Sequence, residues 1–154
     1  MEYRYYYDFE IGRLEITYTD EAITHMSREI DDDKSNEHYH KNNIIDETIK
    51  QLDEYFNGKR RTFNLPLSFE GTPFQKSVWK ALMEIPYGET RSYKDIAIEI
   101  GNPKACRAVG MANNRNPIVL ICPCHRVIGA NGKLVGYGGG LDMKTFLLNL
   151  EVNN

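Results

Sequence analysis

Between Thr72 and Pro117 helix-start and helix-stop signals follow one another at short intervals, and this punctuation constrains the fold more than any other feature. Thr72-Pro73-Phe74-Gln75 combines an N-cap threonine, a proline at the first helical position and a glutamine able to close a capping box. The spacing predicts a helix that turns Val78, Trp79, Leu82 and Met83 inward and ends at Pro86-Tyr87-Gly88. Ser92-Tyr93-Lys94-Asp95 opens a second helix, with Ile96, Ala97 and Ile100 on its apolar side and Gly101 as its stop. Asn102-Pro103 repeats the cap-plus-proline signal, and a third helix is predicted from Lys104 to about Asn113. Two short helices joined by a tight glycine turn are the layout of a helix-turn-helix, a layout also common in proteins that never touch DNA.

The chain then changes character. Ile118 to Cys122 is an apolar run, predicted as a buried strand, and Pro123 leads it into Cys124-His125-Arg126-Val127-Ile128. Residues 129–140 include six glycines, and Asp142 to Leu150 reads as a last helix with Phe146, Leu147 and Leu150 inward. The first half is different again. From Tyr3 to about Ser27, Tyr, Ile and Thr with turn signals near Gly12 and Asp20 predict a three-stranded antiparallel meander. A polar loop from Asp31 to Asn36 follows, and apolar residues from Ile44 to Phe56 recur at helical spacing until Asn57-Gly58. Phe63 to Phe69 alternates, but Pro66 restricts it to an edge strand or an extended linker.

The expected architecture is α+β, with a small α/β domain over residues 1–70 and a mainly helical domain over 71–154. Charge divides at the same place. Residues 1–70 carry 9 basic and 16 acidic side chains, a net of −7, and residues 71–154 carry 10 basic and 6 acidic, a net of +4. Only the second half is suited to approach a polyanion. No stretch reaches the ~18 apolar residues of a membrane span, and the first residues lack the basic-then-apolar layout of a secretory signal. The three cysteines, Cys106, Cys122 and Cys124, are odd in number and crowded together, so reduced thiols and a cytoplasmic location are expected.

Cys124 beside His125 is the strongest candidate for chemistry, because a thiol becomes a nucleophile when a neighbouring imidazole or cation favours its anion. A buried cysteine next to a core histidine is the commoner meaning of such a dipeptide. A metal site from Cys122, Cys124 and His125 lacks a fourth ligand, and His38 and His40 flank Tyr39 in a polar stretch that suits solvated side chains, so no metal and no cofactor are expected. The stretch Gly132 to Gly140 fits no nucleotide-binding spacing; its glycines suit close approach of backbone to a flat ligand, with Tyr93 and Tyr137 as aromatic faces and phenolic donors.

Taken together, Pro123-Cys124-His125-Arg126-Val127, Ile85-Pro86-Tyr87-Gly88-Glu89-Thr90, Ser92-Tyr93, Arg107-Ala108-Val109-Gly110, Ala112-Asn113, Asn116-Pro117, Gly136-Tyr137 with Gly139-Gly140, and Leu147-Leu148 with Glu151 resemble the O6-alkylguanine-DNA alkyltransferases in order and spacing. The resemblance runs from about Thr72 to Glu151, and the first half is similar only in layout, a ribonuclease-H-like sheet plus helix. It implies a winged-helix-like helix-turn-helix domain that binds double-stranded DNA containing O6-alkylguanine, flips the damaged base and transfers its alkyl group once, irreversibly, to Cys124; O4-alkylthymine is a further implied substrate. It also implies that His125 takes the thiol proton through a water, that Glu151 orients His125, that Asn116 braces the turn and that Tyr93 donates to the leaving base. Arg107 would fill the gap in the duplex from a helix laid in the minor groove, with Tyr93, Lys94 and Asn102 as further DNA contacts. Val127, Tyr137, Gly138 and Gly139 would line the guanine pocket, Gly138 leaving room for adducts larger than methyl. A monomer is expected, away from membranes. Two other readings stay open, a lesion-binding module without transfer and a cysteine hydrolase using Cys124, His125 and Glu151.

Overall fold

The computed structural model describes residues 1–29, 33–134, 137 and 139–154 and falls into two compact units, Met1–Phe69 and Glu70–Asn154. Asp31 and Asp32 of the expected polar loop, and Gly136 and Gly138 of the glycine-rich stretch, lie outside the described residues.

In the first unit, β1 (Tyr3–Phe9), β2 (Gly12–Tyr18) and β3 (Ile23–Glu29) form an antiparallel meander in the order β1-β2-β3, with Tyr5 opposite Ile16 and Ile16 opposite Met26. Leu14, Ile16, Tyr18 and Met26 leave the sheet for a core completed by Ile45, Leu52 and Tyr55 of α1 (Asn43–Phe56). Asn42 caps α1 by accepting from the Ile45 N–H at 2.9 Å. Buried Gln51 receives the Asn64 N–H at 2.9 Å and donates to the Asn64 carbonyl at 3.1 Å, doing for the extended segment what a neighbouring strand would do. Pro66 and Ser68 then bond Ile23 on either side of Leu67. Pro66 supplies only its carbonyl there, which is why a proline is tolerated at this edge.

The second unit begins with α2 (Pro73–Met83), whose capping box is complete: Thr72 Oγ1 accepts from Gln75 N–H and Gln75 Oε1 accepts from Thr72 N–H. Val78, Trp79 and Leu82 are buried as expected, but Met83 is exposed, and Ala81 takes the inward position in its place. The short β4 (Arg91–Ser92) runs straight into α3 (Tyr93–Glu99), capped by Ser92 and Asp95. The third helix of the unit, α4 (Cys106–Asn114), starts later than its sequence signals suggest: Asn102 and Pro103 make a turn ahead of it, Ala105 is the cap, and no side chain caps it. Trp79 Nε1 donates to the Ala112 carbonyl at 2.8 Å and fastens α2 to α4.

The run Ile118 to Cys122 is not a strand. Leu120 sits at φ +73°, Cys122 N–H bonds the Ile118 carbonyl, and the segment closes into a tight turn buried on all sides. Complete burial, rather than strand pairing, accounts for the apolar run, a distinction that periodicity cannot make. A 3-10 turn (Cys124–Arg126) follows, then β5 (Val127–Ile128), which pairs in parallel with β4 through Arg91 opposite Val127 and Ser92 opposite Ile128. The last helix, α5 (Leu141–Val152), buries Met143, Lys144, Leu147 and Glu151; Phe146 and Leu150 are only half-buried. Among the described residues no helix is long and apolar enough to cross a membrane.

At Gly139 an added Cβ would lie 2.7 Å from the Tyr137 ring and 2.9 Å from Met143 Sδ, and both side chains are buried. Gly139→Ala is therefore expected to cost about 1–3 kcal/mol by overpacking, read as a lowered midpoint in chemical denaturation with an unchanged slope.

Candidate active site

Four segments of the second unit meet at Cys124. Asn116, just past α4, brackets the buried turn: its Oδ1 accepts from Ile118 N–H at 3.0 Å and its Nδ2 donates to the Cys122 carbonyl at 2.8 Å. The same carbonyl accepts Cys124 N–H at 2.8 Å across Pro123, whose φ of −81° and ψ of 63° make an inverse γ-turn. The Cys124 thiol is thus held at the start of the 3-10 turn, with 1% exposure. Tyr93 reaches it from α3, because the pairing of β4 with β5 sets the first residue of that helix beside the segment leaving Cys124.

His125 and Glu151 are both buried, and His125 Nε2 lies 2.7 Å from Glu151 Oε2. Burial alone would raise the Glu151 carboxyl, but hydrogen bonds and charge from His125 and Arg126 overcome it and hold the group well below the usual carboxylate range. An ionised carboxylate only accepts, so Nε2 carries the hydrogen and Nδ1 keeps a lone pair. Nδ1 is buried with no hydrogen-bond partner among the described residues. Burial also lowers the imidazole's own affinity for a proton, against the pull of Glu151, and the ring is neutral at pH 7. The arrangement is a neutral base with its free nitrogen available and its other side fixed by a carboxylate.

Two cations complete the site, and neither was singled out in the sequence. Arg126 donates to Glu151 through Nε at 2.8 Å and Nη2 at 3.0 Å, and through Nη1 to the Ile85 carbonyl at 2.7 Å. Gly88 N–H reaches Glu151 Oε1 at 3.2 Å, at a residue with φ +79° that favours glycine. Lys144 is fully buried and its Nζ donates to the Val127 carbonyl at 2.5 Å. Burial pushes the Cys124 thiol up to about 11, with the Asn116 hydrogen bond and the Lys144 charge pulling the other way, so the sulfur is a thiol at rest. Burial, and the Cys124 thiolate where it forms, raise Tyr93, which keeps its phenolic proton as a donor. The signal for Lys144 was a lysine inside an apolar helical face; Arg126 stood in the quoted motif without a role.

Val127 and Tyr137 are buried, as is Gly139, while Gly138 lies outside the described residues. Arg107, Lys94 and Asn102 are exposed on α4, on α3 and in the turn between them. No group of three or more metal-ligating side chains occurs among the described residues.

A family model described as 6-O-methylguanine DNA methyltransferase, DNA binding domain, matches residues 73–153, and one described as the ribonuclease-like domain of the same proteins matches residues 2–69. The chain belongs to the O6-methylguanine-DNA methyltransferase family. It is 68% identical over 108 residues to the methylated-DNA–protein-cysteine methyltransferase of Methanosarcina barkeri, across 70% of this chain and 68% of that one. A crystal structure of Mycobacterium tuberculosis O6-methylguanine methyltransferase matches with a TM-score of 0.85 at 42% identity, covering 99% of this chain and 94% of that one. One of Mycobacterium tuberculosis OGT in complex with DNA matches with a TM-score of 0.85 at 46% identity, covering 96% and 91%. The α+β architecture expected from sequence is that of the family.

A carboxyl depressed in the folded chain stabilises it above the unfolded glutamate's pKa and loses that contribution as pH falls through the folded value. Stability is therefore expected to fall from about pH 4 downward, and Glu151→Gln to remove much of that slope while lowering stability at pH 7. Denaturant titrations of both chains at pH 3 and pH 7 give the comparison.

Proposed function

We propose that this protein repairs DNA by direct reversal, taking the alkyl group from O6-alkylguanine in a duplex onto its own Cys124, once per molecule. The observation that carries this reading is the buried Cys124 thiol next in sequence to a neutral His125, whose Nε2 is fixed by Glu151 and whose Nδ1 has no partner among the described residues. A bond forms from Cys124 Sγ to the alkyl carbon as the carbon–O6 bond breaks, and its electron pair stays on the guanine. The thiol proton passes to His125 Nδ1; the base leaves with one proton, so the chain retains a neutral thioether and a neutral imidazole at the end. Tyr93 supports the departing base as a hydrogen-bond donor. O4-alkylthymine presents the same electrophilic carbon and is a second substrate in this reading.

O6 lies inside the base stack, so the nucleotide must be flipped to reach a thiol with 1% exposure. Arg107, exposed on α4, is assigned to the gap left in the duplex, with Lys94 and Asn102 on the phosphates or grooves nearby. The whole of this machinery belongs to residues 71–154, the proposed DNA-binding and acceptor domain; residues 1–70, with their net charge of −7, are assigned no DNA contact. One chain holds every group used, which supports a monomer, and the free thiols of Cys106, Cys122 and Cys124 suit the reducing cytoplasm.

Mass spectrometry after incubation with a duplex carrying O6-methylguanine tests the reading. The expected result is one methyl group per chain, mapped to Cys124, with saturation; tight binding without any mass gain marks a lesion binder, and multiple turnover marks a hydrolase. Cys124→Ala is expected to abolish transfer while duplex binding persists. Arg107→Ala is expected to slow reaction with the duplex at least ~10-fold more than reaction with O6-benzylguanine as a free base, since only the duplex has to be opened.

A further inference from the structure

Asn113 is a polar side chain in an apolar position. It shares the buried side of α4 with Val109 and Ala112 and is 1% exposed, yet neither its Oδ1 nor its Nδ2 has a hydrogen-bond partner among the described residues. A buried amide left in this state destabilises a fold, and a leucine, with the same branching and no polar atoms, carries no such penalty. Its place along the helix is informative. Three residues earlier stands Gly110, where an added Cβ would lie 3.8 Å from the Tyr93 ring, and three residues later stands Asn116. Residues three apart lie on neighbouring parts of one helix surface, so Asn113 adjoins the glycine that faces Tyr93, and the chain leaves the helix at Asn114 to reach Asn116. Asn116 hydrogen-bonds Cys124, and Tyr93 feels the charge of its thiolate.

We infer that the Asn113 carboxamide is a base-recognition group, its Nδ2 donating to and its Oδ1 accepting from the heteroatom edge of the flipped guanine. A carboxamide carries a donor and an acceptor side by side, the pattern with which asparagine and glutamine read purine edges. The amide has no partner among the described residues because its partner arrives with the substrate, and this is why a position that would be more stable as leucine holds asparagine. The inference rests on the proposed repair reaction and assigns the chain a specificity determinant within it.

The test compares wild type with Asn113→Leu and Asn113→Asp, the second keeping shape and acceptor but losing the donor. Three quantities are read: the rate of methyl transfer from an O6-methylguanine duplex, the rate with O6-benzylguanine as a free base, and the rate at which iodoacetamide alkylates Cys124. The expected result for Asn113→Leu is a fall of ~10-fold or more in both guanine reactions, the loss of about one hydrogen bond's selectivity. The iodoacetamide rate stays unchanged and the melting temperature rises by a few degrees; Asn113→Asp is slowed as well. Both guanine rates unchanged would overturn the inference. So would a parallel fall in all three rates with a lowered melting temperature, which marks Asn113 as structural support. Wild-type chain that reacts with iodoacetamide but transfers no methyl group overturns the repair reading itself, and this inference with it, an outcome distinct from either.

Discussion

Everything around Cys124 depends on the burial of one carboxylate. Glu151, with 3% exposure, is kept ionised by His125, the Nε and Nη2 edge of Arg126 and the Gly88 N–H. A carboxylate in that position with one of its partners removed would be an uncompensated buried charge, which costs far more than a surface ion pair contributes. The consequence is geometric as well as energetic. Arg126 belongs to the 3-10 turn and also holds the Ile85 carbonyl, Gly88 lies in the turn after α2, and Glu151 is near the end of α5, so one charge cluster joins three separated segments of the chain. The imidazole acquires its orientation from this lock, and its tautomer follows from it.

The electrostatics of the thiol follow from the same enclosure. Burial disfavours the thiolate, while Lys144 and Asn116 favour it without overcoming the desolvation, so the resting site keeps its proton on sulfur. For the single transfer proposed above this is an advantage, since a permanently ionised thiol would meet other electrophiles and oxidants before the proposed alkyl carbon. Deprotonation then belongs to the encounter itself, with a neutral His125 ready on one side and the Lys144 cation able to offset the developing charge on another. Placing Lys144 and Arg126 inside also changes the meaning of the charge count. Two of the ten basic side chains of residues 71–154 are buried, so fewer of them reach the surface than the count suggests.

Much of the fold was legible in the sequence because the local signals were redundant. The meander of β1 to β3 and the capping boxes of α2 and α3 rest on side chains that act within three residues of themselves, where pattern reasoning is strongest. The errors share a different origin. Ile118 to Cys122 looked like a strand because complete burial and strand pairing give the same apolar run, and the turn depends on Asn116, which bonds residues two and six positions away. Asn102-Pro103 looks like a helix start, but the turn it forms closes through the Ala105 N–H on the Asn102 carbonyl and α4 begins only at Cys106. The β4–β5 pairing spans two residues on each side and leaves no periodic trace, although it sets Tyr93 in place.

The site residues divide in the same manner. Cys124, His125, Asn116, Tyr93 and Glu151 could be named because their order and spacing resemble a family, whereas Lys144 and Arg126 act through contacts whose partners are 17 and 25 residues away and carry no local signature. Their types are nonetheless informative once burial is known. Lysine and arginine are almost never enclosed without a reason, and an asparagine with two unsatisfied atoms in an apolar helix face is rarer still. Among the described residues these violations fall in the unit that carries Cys124, and a violation of this kind persists where the stability it removes serves a function such as the one proposed here.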